Sequence, residues 1–319
     1  MTPEFDLIAK YFTRPAKNAA LGVGDDCALI NVTRGCELAI STDTLLSGVH
    51  FFADADPFKL GHKALAANLS DLAAMGATPR YVTLALTLPS IDATWLDAFS
   101  RGFFALANAA GVELIGGDTT RGPLSMTLTV LGEVEAGKAL RRDRARTDDD
   151  VWVSGTLGDA ALALRNLRKE IVVSPGHAEK VLARLHTPTP RNALGCALLD
   201  CAEAAIDISD GLIADLGHIC ERSSLAAKLE WALVPQSPAL MSAPLALQQA
   251  CALAGGDDYE LCFTANENQR AAIEAISASC DIALTRIGKM QAGIPEVTVH
   301  DEHRAPINIA AGGFDHFKK

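Results

Sequence analysis

Runs with strand character and runs with helix character alternate along the whole sequence, and this alternation restricts the chain to an α/β or mixed α+β architecture. β-branched and apolar residues concentrate at 37–40, 81–88, 112–115, 125–134, 151–153, 259–264 and 282–287, which predicts strands there. Two stretches between them read as helices. Residues 92–110 open on Asp92, a residue suited to an N-cap, and stop at Gly111; residues 60–75 run to Gly76 and then Pro79. The segment Arg141 to Asp150 holds no apolar residue except Ala145 and separates two predicted strands. It predicts a boundary between an N-terminal domain at 1–140 and a C-terminal domain at 148–319, each of ordinary size.

Composition narrows the function classes. The net charge of −11 speaks against a nucleic-acid surface, because phosphate backbones are bound by clustered Lys and Arg. The eight cysteines (27, 36, 196, 201, 220, 251, 262 and 280) form no C-x-x-C pair and mostly sit in apolar runs, which points to a reducing cytoplasm and no structural zinc. The N-terminus has no basic flank followed by an apolar core, and no apolar run is long enough to span a bilayer. The expectation is a cytoplasmic protein that engages neither membrane nor nucleic acid.

The carboxylates are not randomly placed. Five times an apolar run leads into a Gly, Ser or Thr turn bearing aspartate: Gly22 to Ile30, Leu38 to Phe51, Leu114 to Gly122, Ile206 to Leu212 and Ala252 to Leu261. Asp beside Gly is also ordinary turn chemistry, so no single motif is decisive. The clusters Ser41-Thr42-Asp43-Thr44 and Asp207-Ile208-Ser209-Asp210 abut apolar strands, where charge is costly unless paired or bound to metal. Hydroxyl and carboxylate oxygens at that density suit magnesium, which is commonly shared with substrate phosphates. On the helix at 60–75, Leu65, Leu69 and Leu72 make a core stripe, while Asn68 and Asp71 share another face that either lines a site or meets solvent. The chain has neither a P-loop nor a G-x-G-x-x-G fingerprint. Bound phosphates would depend on metals, on main-chain amides such as those of Gly116 and Gly117, and on a cation from Arg141 or Arg142.

Taken together, GVGDD, STDTLLSGVHF, NLSDLAAMGA, GGDTTRG, DISDGL and GGDDYEL, in this order, resemble the thiamine-monophosphate kinases of the aminoimidazole-ribonucleotide-synthetase-like superfamily. The likeness runs from about residue 4 to residue 316. It implies two α/β domains with the active site in the cleft between them, and a homodimer in which N-terminal strands pair. It implies ATP-dependent phosphorylation of thiamine monophosphate to thiamine diphosphate by direct in-line γ-phosphoryl transfer, with several Mg2+ ions per site. The family's metal ligands fall on Asp26, Ser41, Thr42, Asp43, Asp71, Asp118, Asp207 and Asp210. Its ATP contacts fall on Gly117, Asp118, Arg142 and Ser209, and its thiamine phosphate contacts on His50, Asp257 and Phe314. The family often has Glu where this chain has Asp257, one methylene shorter.

That chemistry gives the aspartates a purpose. The attacking phosphate oxygen is already anionic near neutral pH, so the obstacle is the accumulated negative charge of two phosphorylated substrates rather than the lack of a base. Two rival readings stand beside it. One is another ATP-using member of the superfamily, although the chain shows no N-terminal reactive Cys and Lys pair and no C-terminal cysteine. The other is a non-catalytic nucleotide or metal-binding module.

Overall fold

The computed structural model describes residues 6–308 and, as the alternation predicts, is mixed α/β with two sheets. The chain divides into two compact units, one of residues 1–72 and 77–137 and the other of 73–76 and 138–319.

The first unit is built on four strands, β1 (Cys36–Leu46), β2 (Thr78–Leu88), β3 (Glu113–Arg121) and β4 (Ser125–Glu135), in the order β1-β4-β2-β3. Only β2 and β3 run parallel, and they are connected through a helix as parallel neighbours require. Two helices, α1 (Pro57–Ala74) and α2 (Ala93–Ala110), cover one face. Helix α2 begins as read from the sequence, with the Asp92 carboxylate accepting the N–H groups of Thr94 and Trp95, and it ends on Gly111 in the left-handed region. Helix α1 starts earlier than its sequence reading, because the Asp56 carboxylate accepts the Lys59 N–H and Pro57 tolerates the first turn. The two helices touch at glycines: a Cβ on Gly61 would lie 2.2 Å from the Phe99 carbonyl oxygen, and one on Gly102 would lie 1.8 Å from that of Phe58.

Alternation along the strands divides this sheet cleanly. Met126, Leu128 and Val130 are buried beneath the helices with Val82, Leu84 and Leu86, whereas Thr127, Thr129 and Leu131 face the other way. On that second face Thr42 and Thr44 of β1 bond across to Thr129 and Thr127, both at 2.8 Å, and Ile40 is 59% exposed.

The second unit has six strands, β5 (Asp150–Ser154), β6 (Ala204–Asp207), β7 (Ala226–Glu230), β8 (Leu261–Ala265), β9 (Leu284–Gln291) and β10 (Val297–His300), in the order β10-β7-β9-β5-β8-β6. Both faces are covered. Val151 and Val153 of β5 enter one apolar core with Leu212, Leu216 and Ile219, while Trp152 enters another with Phe263 and Ile273. Its longer helices are α3 (Asp159–Leu167), α4 (Pro175–His186), α5 (Asn192–Ala197), α6 (Leu212–Ser223), α7 (Leu245–Ala254) and α8 (Arg270–Cys280). Strand β6 lies at the sheet edge and ends on Asp207, delivering the Ile208-Ser209-Asp210 turn to the start of α6. All eight cysteines are free, four of them buried. Among the described residues no helix is long and apolar enough to cross a membrane.

Candidate active site

Two of the five aspartate-bearing segments are not turns. Ser41 to Leu46 continue β1, and Gly116 to Arg121 continue β3. Asp and Gly are normally depleted from strands, but both strands are sheet edges, and Thr42 and Thr44 in β1 and Thr119 and Thr120 in β3 supply β-branched side chains.

The extension of β1 lays its polar face along α1. Ser41 Oγ donates to Asp71 Oδ2 at 2.6 Å, and the Asp43 N–H donates to Asn68 Oδ1 at 3.2 Å. Strand residues two apart therefore meet helix residues three apart, each spacing being the period of its own element. Asn68 is fully buried and its amide also donates to the Ala64 carbonyl at 2.9 Å, so it does not meet solvent. Surrounding protein displaces enough water to raise the Asp43 carboxyl above its ordinary value, with the nearby His50 opposing the rise. The Leu46 N–H donates to His50 Nδ1 at 2.9 Å, which leaves the ring proton on Nε2.

Other N-terminal positions stand apart from this group. Thr42 directs its hydroxyl to Thr129 on the opposite face. Asp118 lies on β3, three strand spacings from Asp43, or about 14 Å, in the cross-strand row of Ala85, Thr127 and Thr44. Gly117 before it has φ 150°, and a Cβ there would lie 1.9 Å from the Leu84 carbonyl oxygen, so close strand packing already demands glycine. Asp26 is exposed in a loop closed at its base by reciprocal Leu21 and Leu29 main-chain bonds. Upstream of that base, Glu113 accepts the N–H groups of Lys17, Asn18 and Ala19.

Glu113 allows a pH test. Burial raises its pKa, but the bonds from Asn18, Lys17 and Ala19 outweigh burial and hold it below the ordinary value. A depressed folded-state pKa contributes stability above the unfolded value, and this is lost as pH falls through the folded one. The wild-type melting temperature is expected to drop as pH falls below about 4.5, and Glu113→Gln is expected to flatten that limb. Thermal melts at stepped acid pH decide it; parallel curves for the two proteins would remove Glu113 from the account.

In the second unit the Ile208-Ser209-Asp210-Gly211 turn is organised by a residue that sequence reading passed over. Asp215 Oδ2, one turn into α6, accepts the N–H groups of Ser209, Asp210 and Gly211, each at 3.0 Å. Burial pushes the Asp215 pKa up to about 7 despite these bonds, and the Asp210 charge adds to the rise. Asp207 is buried at the end of β6. Arg142 sits at the far end of α6, where Ser223 Oγ donates to its carbonyl at 2.8 Å; twelve helical residues, about 18 Å, separate it from Ser209. Its neighbour Arg141 already forks onto Asp143.

The Gly255 to Leu261 segment is laced to the same turn. The Asp257 N–H donates to the Ser209 carbonyl at 2.9 Å, the Tyr259 N–H to the Ile208 carbonyl at 2.8 Å, and the Ile208 N–H to the Glu260 carbonyl at 2.8 Å. The motif's other carboxylates face inward. Asp258 accepts the Gly158 N–H at 2.8 Å, and burial pushes its pKa up to about 8. Glu260 is fully buried between Arg184, at 2.8 Å, and Arg191, whose Nε lies at 2.7 Å, and it also accepts Ser154 Oγ. Only their place in GGDDYEL could have flagged these residues; the family resemblance, and not local composition, distinguished Asp257 from Asp258. Phe314 lies outside the described residues.

Among the described residues no three His, Cys, Asp or Glu side chains come together to hold a metal ion. The Ser41, Asp43 and Asp71 group fits magnesium nonetheless, because its donors are all oxygen and Mg2+ is usually held by one or two carboxylates, with water and substrate phosphates completing the shell.

Residues 24–134 match the family described as AIR synthase related protein, N-terminal domain, which is the class to which the first sheet and its polar edge belong. The thiamine-monophosphate kinase of Salmonella typhimurium is 48% identical over 98% of both chains. A crystal structure of thiamine-monophosphate kinase from Stenotrophomonas maltophilia K279a superposes with a TM-score of 0.84 at 48% identity, covering 93% of this chain and 95% of that one. The structure of AaThiL complexed with AMPPCP and TMP gives 0.79 at 28% identity over 89% of each chain. The chain belongs to the thiamine-monophosphate kinase family, and it is an enzyme of the phosphotransferase class.

Proposed function

We propose that the chain phosphorylates thiamine monophosphate with ATP, giving thiamine diphosphate and ADP by in-line transfer of the γ-phosphoryl group. The reading rests on the family relationship and on the ATP analogue and TMP held by AaThiL. The observation that carries it is the β1 and α1 arrangement, in which Ser41, Asp43, Asn68 and Asp71 turn an apolar strand and a buried helix toward one oxygen-rich site.

Magnesium, when bound, would neutralise phosphate charge and help align the attacking and leaving oxygens. The proposed holders are Asp26, Ser41, Thr42, Asp43, Asp71 and Asp118 in the first unit, and Asp207 and Asp210 in the second. Gly117, Asp118, Arg142 and Ser209 would contact ATP. Arg142 is preferred over Arg141 on the family resemblance alone. His50 would donate from Nε2 to the acceptor phosphate, as its Nδ1 is occupied by the Leu46 N–H. Asp257 and Phe314 would contact the thiamine moiety.

A homodimer belongs to the proposal. Strands β1 and β3 are the two edges of the first sheet, and its threonine-rich face carries the exposed Ile40 and Leu46. Joining β1 of one copy to β3 of another would satisfy both open edges of this sheet. Light scattering would show a particle twice the chain mass. We place the enzyme in the cytoplasm, with no membrane or nucleic-acid partner.

The decisive experiment incubates the chain with ATP, magnesium and thiamine monophosphate and follows ADP. ADP formation that requires the acceptor is expected; its absence would overturn the assignment, and ADP formation without acceptor would favour another ATP-using activity.

A further inference from the structure

We infer that Tyr259 is a positioning residue for the acceptor substrate, holding the Asp257 carboxylate in its binding orientation, an inference that rests on the assignment of Asp257 above. Tyr259 Oη donates to Asp257 Oδ1 at 2.8 Å, and the ring is buried, with 8% of its surface exposed. The backbone between them is unusual. Asp257 and Tyr259 both lie in the left-handed region, at φ 68° and 52°, where a bulky aromatic residue is an outlier. Such conformations persist where surrounding structure over-determines them and cluster at ligand sites.

Here the over-determination is visible. Both residues donate their N–H groups to the turn holding Ser209, Asp258 between them is pinned by Gly158, and Glu260 after them is locked by two arginines. The left-handed Tyr259 turns its ring back over its own motif, so that its hydroxyl meets the carboxylate two residues earlier. A short aspartate then has one oxygen fixed and its charge held in place. A carboxylate repels phosphate, so the fixed charge suits the end of the acceptor that carries amine donors and positive charge. The shorter Asp257 thus gains from its neighbour the orientation that a free side chain would have to lose entropy to adopt.

Tyr259→Phe removes the hydroxyl and keeps the ring. The expected result is a KM for thiamine monophosphate raised about 5- to 10-fold, with the KM for ATP and the melting temperature close to wild type. Asp257→Asn should raise the same KM, and adding Tyr259→Phe to it should add less than about 1.5-fold, since the bond partner's charge is already gone. An unchanged acceptor KM in Tyr259→Phe, an equal rise for ATP, or a full effect persisting in the Asp257→Asn background would each overturn the inference. If the phenylalanine variant does not fold, the acceptor KM of Asp257→Asn alone decides, an unchanged value refuting it. Acceptor-independent or absent ADP formation by the wild-type chain would instead sink the functional assignment itself.

Discussion

Replacing Asp43 with Asn is expected to lower turnover by about 10²- to 10³-fold while leaving the melting temperature in metal-free buffer unchanged or slightly raised. The size follows from the proposed chemistry, in which charge compensation between two phosphorylated substrates is the main task. The sign of the stability effect follows from the environment. Partial withdrawal from water raises the Asp43 pKa, so its charge is held at a cost in the absence of a cation, and a neutral amide removes that cost. The Asn68 contact survives, because it is made by the Asp43 main-chain N–H. Magnesium should raise the wild-type melting temperature more than that of the variant. Steady-state turnover at saturating magnesium, paired with melts with and without the metal, tests both halves; near-normal turnover would remove Asp43 from the site.

Glu260→Ala is expected to act in the opposite way, by destabilising the fold by about 3–5 kcal/mol. The carboxylate is fully buried, and the substitution removes the ion-pair partner shared by Arg184 and Arg191, themselves 20% and 16% exposed. Burial alone would lower the Arg191 pKa, and the hydrogen bond and charge of Glu260 reverse that effect. Because the Glu260 carbonyl also receives the Ile208 N–H, loss of the residue's anchoring should loosen the turn bearing Ser209 and Asp210. Urea denaturation quantifies the loss, and a change below about 1 kcal/mol would show that the arginines find other partners.

The two substitutions separate what the sequence could and could not disclose. Asp43 and Asp71 were legible as candidates because carboxylates among hydroxyls beside apolar runs are costly without a purpose. Helical period also placed Asn68 and Asp71 on one face. Whether that face met solvent or a site was open, since periodicity names neighbours on one element and not what packs against it. Glu260 was legible only as part of a motif, because its partners Arg184 and Arg191 lie 76 and 69 residues away.

The strand ends show the same division. Ser41-Thr42-Asp43-Thr44 and Gly116 to Arg121 read as turns by local composition, but their edge positions let them continue as strands. The short strands β6, β7 and β10, of four or five residues, carry too little pattern to be read singly. Asp215 reads as an ordinary helical residue until the chain reverses and brings three N–H groups onto it.

The sequence by itself determined the alternating architecture, the helix caps at Asp92 and Gly111, the absence of a phosphate-binding loop and the set of carboxylates from which a site could be made. These follow from residue type and near-neighbour spacing, which the chain carries without folding. Only the tertiary structure decided that Ser41 reaches Asp71, that Thr42 turns away, that Asp43 and Asp118 occupy opposite sheet edges and that Tyr259 steadies Asp257. Those facts depend on strand order, register and left-handed backbone, which arise when distant segments compete for one core and are written in no local stretch of the chain.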